Sequence, residues 1–230
     1  MLFVNGIGRD ARCWLLMGAR SPGLYYVSKC YDVWLTNIRG SPYSKHQTYK
    51  PYSKEFWDFS LHEQATIDIP AIIDTIANVS GQPGKLIYVG HSMGTTISYI
   101  YASVNRTHCK NNVKAIISLA PIAKLNKFEV PFMHFLALIS QIIKEVLPVL
   151  RLIQGIFAWY DYGITEYLAR YNSILPPLYE VGKIPVNVDL IWANDDKFSV
   201  KDDIAVLYNN LPNDLKSIAE VPANSNQMTP

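Results

Sequence analysis

A chain of 230 residues with 49% hydrophobic content can bury one sizeable core, which excludes wholesale disorder. Its formal net charge is +2, from 21 basic and 19 acidic residues spread along the chain, and this excludes the concentrated basic stripe that a nucleic-acid backbone demands. The three cysteines, Cys13, Cys30 and Cys109, form no CxxC pair and have no metal-ligand spacing with a histidine, so neither a metal nor another cofactor is expected.

In chain order, Met1 to Val4 reads as a strand entering a turn at Asn5-Gly6-Ile7. No charged segment precedes an apolar core here, so no secretory signal is visible, and the start suggests a fragment or truncated product. Further short apolar runs rich in β-branched and aromatic residues fall at Tyr31 to Leu35, Lys85 to Val89, Val113 to Leu119 and Val186 to Trp192. Between them lies an amphipathic stretch, Ser60 to Val79, with Ile67, Ile69, Ile72, Ile73 and Ile76 near helical spacing, and a second helix is expected after Gly94. Strands alternating with helices predict an α/β fold: a mostly parallel sheet with helices on both faces.

Residues Phe128 to Trp159 are more apolar than the rest, with runs Phe132 to Ile143 and Val146 to Phe157 split by Lys144-Glu145. The first run is short of the roughly 20 residues a spanning helix needs, and Pro148 interrupts a merged one, so no transmembrane segment is expected. The stretch reads as an apolar lid, either an interfacial helix or a buried helix pair. A proline-punctuated connector, Leu175 to Pro185, then returns the chain to the sheet. Residues 1–122 and 176–230 are thus expected to form the core of one domain, with 123–175 inserted as a helical lid.

The chemistry centres on Gly90-His91-Ser92-Met93-Gly94, between a predicted strand and a predicted helix. A strand-to-helix turn of this kind pushes the serine hydroxyl out of the sheet, while the glycines let neighbouring backbone approach. Ser92 is therefore the candidate nucleophile, and the Met93 N–H at the helix start points where an oxyanion develops. A second donor is expected from the loop after an early strand, where lipases carry a His-Gly motif. Here Ile7 would offer its N–H and Asn5 stands in place of the histidine, the alternative being a plain turn. Two sequons, at Asn78 and Asn105, are candidate glycosylation sites.

Several blocks together resemble one family. They are Tyr31-Asp32-Val33-Trp34-Leu35-Thr36-Asn37-Ile38-Arg39-Gly40, Glu55-Phe56-Trp57-Asp58-Phe59-Ser60, Asp68-Ile69-Pro70-Ala71-Ile72-Ile73-Asp74 and Tyr88 through Thr96. Later come Leu119-Ala120-Pro121, Tyr160-Asp161-Tyr162-Gly163 and Pro176-Pro177-Leu178-Tyr179. In order and over nearly the whole chain, these resemble the acid lipases, the group of gastric, lysosomal and many insect lipases. The resemblance implies an α/β-hydrolase fold with a lid, shortened here because the family's is normally much longer than Ala123 to Trp159. It also implies hydrolysis of neutral lipid esters at a lipid interface, a secreted or lysosomal location, and a triad in the order Ser, Asp, His.

On that resemblance Ser92 matches the nucleophile and Asp196 the triad acid, with Asp195 as the alternative and surface capping as the non-catalytic reading of both. The block that should carry the histidine reads Val221 to Pro230, and Gln227 falls where the histidine belongs. An amide is not basic and cannot take the serine proton. His91 is expected to point away from Ser92, while His46, His62, His108 and His134 lie in segments with no expected approach to it. The alternative is a catalytically inactive lipid- or protein-binding module that keeps the pocket.

Overall fold

The computed structural model describes residues 1–124, 157–158, 168, 172–173 and 176–222. Most of the expected lid, with His134 and the Tyr160 to Gly163 block, lies outside the described residues, as does Gln227. Among the described residues, six strands form one sheet: β1 (Leu2–Val4), β2 (Trp34–Leu35), β3 (Leu86–His91), β4 (Val113–Leu119), β5 (Asn187–Ala193) and β6 (Lys216–Val221). Their order is β2-β1-β3-β4-β5-β6 and every neighbouring pair is parallel. The segments that follow the strands therefore emerge at one end of the sheet, and the loops after β1, β3, β4 and β5 converge there.

The period of two along a strand divides the core between the faces. Leu2 and Val4 turn into the larger cluster, with Tyr88, Ile97, Ile100, Ile116 and Leu190, while Met1 and Phe3 turn into a smaller one with Trp14 and Val89. The larger cluster is covered by α3 (Ile69–Ser80), α4 (Met93–Val104) and α6 (Lys201–Asn210), and α5 (Arg106–Asn112) adds Cys109. The smaller is covered by a 3-10 turn, Ala11–Trp14, and by Tyr26 of α1 (Pro22–Ser28).

The helix predicted from Ser60 is present, but in three pieces. A capping box formed by Ser60 and Glu63 starts α2 (Leu61–Glu63), a π segment follows at Gln64–Asp68, and α3 completes it. Asp68, at the end of the π segment, grips Arg39 from the loop after β2 through Nε at 2.8 Å and Nη2 at 2.5 Å. Charge-assisted contacts of this kind pin a long loop to a helix.

Two elements differ from the sequence reading. The strand expected over Tyr31 to Leu35 shortens to Trp34–Leu35, because Tyr31 and Asp32 are exposed at the sheet edge. The sixth strand, Lys216–Val221, was not anticipated. Only its end residues are half-buried, so it lacks a hydrophobic pattern, and its Lys216 and Glu220 suit an open edge.

The first turn of α4 is seated by close backbone contact. A Cβ on Gly94 would meet the Val4 carbonyl oxygen at 2.4 Å, and one on Gly90 would meet Gly94 backbone at 2.8 Å. The buried Tyr88 hydroxyl donates to the Gly94 carbonyl at 2.9 Å, holding strand and helix in the same register. Gly94→Ala must separate α4 from β1. We expect it to cost about 2 kcal/mol or more of stability, read as a lowered denaturant midpoint at unchanged slope.

Candidate active site

Ser92 is the N-cap of α4, directly after β3, with φ 52° and ψ −119°. A residue with a Cβ enters that region only where its surroundings over-determine it. The surroundings here are a set of hydrogen bonds. The Ser92 N–H donates to the Leu119 carbonyl at 3.0 Å, and the Ser92 carbonyl accepts from the Thr95 N–H at 2.8 Å and the Thr95 hydroxyl at 2.7 Å. Thr95 Oγ1 in turn accepts from the Ile122 N–H at 2.9 Å, and the Thr96 hydroxyl donates to the Ile122 carbonyl at 2.7 Å.

The Leu119-Ala120-Pro121 block thereby acquires a physical role. Ala120, at φ 50°, donates its N–H to Ile191 on β5 at 2.9 Å, and the Pro121 carbonyl accepts from the buried Ser199 hydroxyl at 2.8 Å. The two threonines and Ser199 staple the end of β4 to the elbow and to the loop after β5. Sequence reasoning assigned them no task. The available signal was the position of Thr95 three residues into a helix, where a hydroxyl can reach back to a cap carbonyl.

Ser92 is half-buried. Met93 is the first residue of α4, so its N–H has no acceptor within the helix. On the other side, Gly6 packs against the serine: a Cβ there would lie 3.1 Å from Ser92 Cβ and 3.2 Å from His91 Nδ1. Gly6 to Arg9 form a β-turn closed by the Arg9 N–H to the Gly6 carbonyl at 3.3 Å, with Gly8 at φ 67° in the position that favours glycine. The second residue of such a turn is Ile7, whose N–H takes no part in closing it, and Ile7 is 55% exposed. Expected nucleophile and expected oxyanion loop are thus neighbours.

Asp196 and Asp195 differ. Asp195 is exposed; Asp196 is half-buried and its Oδ1 accepts from the N–H groups of Phe198 at 2.8 Å and Ser199 at 3.0 Å. Those are turn contacts of the surface-capping kind, made to the loop's own backbone rather than to a helix, and they fix the carboxylate within the loop that Ser199 ties to β4.

The described histidines fall into two kinds. His46 Nδ1 accepts from the Thr48 and Tyr49 amides, His62 Nδ1 pairs with the Tyr179 hydroxyl at 2.9 Å, and His108 bridges Tyr101 at 2.7 Å and Asp74 at 3.0 Å. All three make local structural contacts. His91 instead lies against Gly6 and edge-on to Trp14, ring centroids 6.4 Å apart, and forms no hydrogen bond with Ser92. Although its outer edge is exposed, withdrawal from water pushes its pKa below the usual histidine value of 6.5. The Asp196 carboxylate opposes that shift and Arg9 adds to it.

A shallow cleft at the opposite end of the sheet, lined by Met1, Asp32, Trp34, Ile73, Lys85 and Leu86 among others, contains none of these residues. Among the described residues there is no group of three or more His, Cys, Asp or Glu side chains that could hold a metal, and no helix is long and apolar enough to cross a membrane.

Residues 2–148 match the family described as the alpha/beta hydrolase fold. Gastric triacylglycerol lipase of Bos taurus is 38% identical over 145 residues, covering 62% of this chain and 36% of that one. The Mus musculus protein of the same name is 48% identical over 103 residues, covering 44% and 26%. A putative lysosomal acid lipase/cholesteryl ester hydrolase of Crotalus adamanteus is 41% identical over 120 residues, covering 51% and 30%. The matched parts therefore span only 26–36% of those relatives. Among solved structures, a soluble variant of monoglyceride lipase from Saccharomyces cerevisiae superposes with TM-score 0.61 at 16% identity, covering 96% of this chain and 76% of that one. A hydrolase from Oleispira antarctica gives TM-score 0.60 at 16% identity, covering 96% and 82%. At such identity these two likenesses carry the fold alone.

The depressed His91 pKa has a signed consequence. A histidine less basic in the folded chain binds fewer protons than in the unfolded chain, so its contribution to stability is present above about pH 6.5 and is lost as pH falls below it. In an NMR titration we expect His91 to ionise below the ordinary histidine range, and Asp196→Asn, which removes the opposing charge, to lower it further. An unchanged or raised midpoint in that variant contradicts the assigned proximity.

Proposed function

The chain belongs to the α/β-hydrolase fold family, and on that premise we propose that it is a neutral-lipid ester hydrolase, of triacylglycerol or steryl ester type, with Ser92 as its nucleophile. The observation that carries the reading is the left-handed backbone of Ser92 between β3 and α4, which holds a hydroxyl at the sheet end where four loops converge. The acid-lipase-like sequence and the names of the relatives, triacylglycerol lipase and cholesteryl ester hydrolase, support the substrate class.

In this reading the Ser92 oxygen attacks the ester carbonyl, and the negative charge that develops is met by the N–H groups of Met93 and Ile7. Asp196 orients and stabilises an imidazolium formed when a base takes the serine proton. Residues 1–122 and 176–230 supply the core and 123–175 a lid. The adjacency of β4 and β5 supports that division, because the sheet continues from one to the other across the intervening sequence. A secretory or lysosomal site of action fits the kind of relative. Of the two sequons, Asn78 is exposed on α3, whereas Asn105 is half-buried with its amide 3.5 Å from the Thr66 carbonyl, so Asn78 is the more accessible acceptor.

The second reading, a binding module that has lost the chemistry, is favoured by one observation, the glutamine at position 227. The experiment that separates them measures fatty-ester hydrolysis and labelling by a serine-directed phosphonate. For a hydrolase we expect selective labelling that Ser92→Ala abolishes, and a gain in kcat of about 100-fold in Gln227→His, the scale of a restored general base. No selective labelling of the unaltered chain, together with no gain from Gln227→His, defeats the hydrolase reading, and retained binding of a fatty-ester vesicle then supports the binding module.

A further inference from the structure

Asn5 is 3% exposed and follows directly on β1. Its amide nitrogen donates to two backbone carbonyls of the loop that begins with it, Gly6 at 3.2 Å and Arg9 at 2.6 Å. Both partners are acceptors only, so the amide orientation is fixed by chemistry: the NH2 group must face them. The other end, Oδ1, is buried with no partner among the described residues. The side chain thus gives up its acceptor function to place two hydrogens inside a four-residue turn. A neutral imidazole carries a single N–H and could satisfy one of these carbonyls, whereas a primary amide satisfies both.

The turn needs such a fastening. Its own closing bond, Arg9 N–H to Gly6 carbonyl, is long at 3.3 Å, and Gly8 sits in the left-handed region with open space around it. Beyond the turn the chain is anchored by Asn37 Oδ1, which accepts from the Ala11 N–H at 2.9 Å, and by Asp10, which caps the 3-10 turn that follows. Between β1 and that anchor, the Asn5 amide is the side chain that holds residues 6–9. Those residues lie against Ser92 through Gly6 and present the free Ile7 N–H.

We infer that Asn5 is the positioning residue of the oxyanion loop: its two amide hydrogens clamp the Gly6 and Arg9 carbonyls and so fix the Ile7 N–H relative to Ser92. The clamp itself is a statement about the loop, and its catalytic consequence rests on the ester-hydrolase reading above. Asn5→Ala removes the clamp, and Asn5→Asp replaces it with an isosteric group that repels both carbonyls.

The test uses the whole chain, with Ser103→Ala as the control. That residue is a buried hydroxyl bonded to the Ile100 carbonyl at 3.0 Å, on a part of α4 outside the site. Two quantities are read: amide hydrogen exchange of Arg9, and phosphonylation of Ser92 by a p-nitrophenyl phosphonate as a function of reagent concentration. We expect the Arg9 amide to exchange about 10-fold faster in both Asn5 variants, through local opening of the turn. The maximal phosphonylation rate should fall on the order of 100-fold with the half-saturating concentration unchanged, the pattern of a misplaced donor rather than of lost binding. Asn5→Asp should be the more severe, and Ser103→Ala should change neither quantity even if it melts earlier. Native-like exchange at Arg9 in the Asn5 variants, or phosphonylation at the unaltered rate, overturns the inference. If the unaltered chain is not phosphonylated, the rate is read in the Gln227→His background; absence of phosphonylation there too defeats the ester-hydrolase reading, and the exchange measurement alone then decides the clamp.

Discussion

The site depends on one constraint: a residue with a side chain is held at positive φ where a strand ends and a helix starts. Left to itself such a backbone costs about 1–3 kcal/mol, so the serine would relax and turn its hydroxyl into the interface between sheet and helix. It is prevented on three sides. Gly94 lets the helix sit directly on the end of β1, Thr95 holds the Ser92 carbonyl, and the Leu119 carbonyl takes the serine N–H. Two of these fastenings reach strands, β1 through Gly94 and β4 through Leu119, and the third, Thr95, is itself tied to Ile122 just beyond β4. The strain at one residue is therefore opposed by the packing of helix and sheet together.

This explains which parts of the fold were legible in the sequence. The strands under the elbow carry continuous apolar runs because they are buried on both faces, and the parallel arrangement follows from their alternation with helices. Lys216–Val221 escaped because an edge strand needs no hydrophobic face, and its polar residues are what a free edge requires. Tyr31 and Asp32 belong to the predicted run, yet they lie beyond the last ladder pairing of β2 with β1 and remain exposed.

The site was legible to a different depth. Ser92, with its flanking glycines, follows from geometry that any strand-to-helix nucleophile turn needs. The tasks of Thr96 and Ser199, and the contact of Thr95 with Ile122, were not legible, because each acts on backbone brought near by tertiary folding. The Asn5 clamp and the Thr95 bond to Ser92 are short-range instead, and depend on a turn geometry that residue types alone do not specify. In the sequence Asn5 reads only as the residue that stands in place of a histidine, with a plain turn as the alternative. Folded, it makes more hydrogen bonds to its loop than a neutral imidazole has N–H groups to give. Asp196 shows the reverse case. Its sequence context suggested a catalytic acid, and the fold adds a capping role without excluding the first.

The division of labour also bears on what the substitution at position 227 can do. The proposed nucleophile and oxyanion donors all belong to residues 5–93 and are held by β1, β3 and the start of α4; the proposed acid lies in the loop after β5. A base contributed beyond β6 is therefore the element least coupled to the rest. Replacing it with glutamine leaves the elbow, the glycine contacts and the Asn5 fastening untouched. In serine hydrolases that lose a triad member, the oxyanion hole and substrate binding retain about 10³- to 10⁴-fold of rate over water. A chain with this architecture and no basic group at that position would then be a slow catalyst whose ester-binding site stays intact. On the proposed reading, ester hydrolysis and lipid binding would then be two levels of activity of one site, separated by a proton acceptor rather than by a fold.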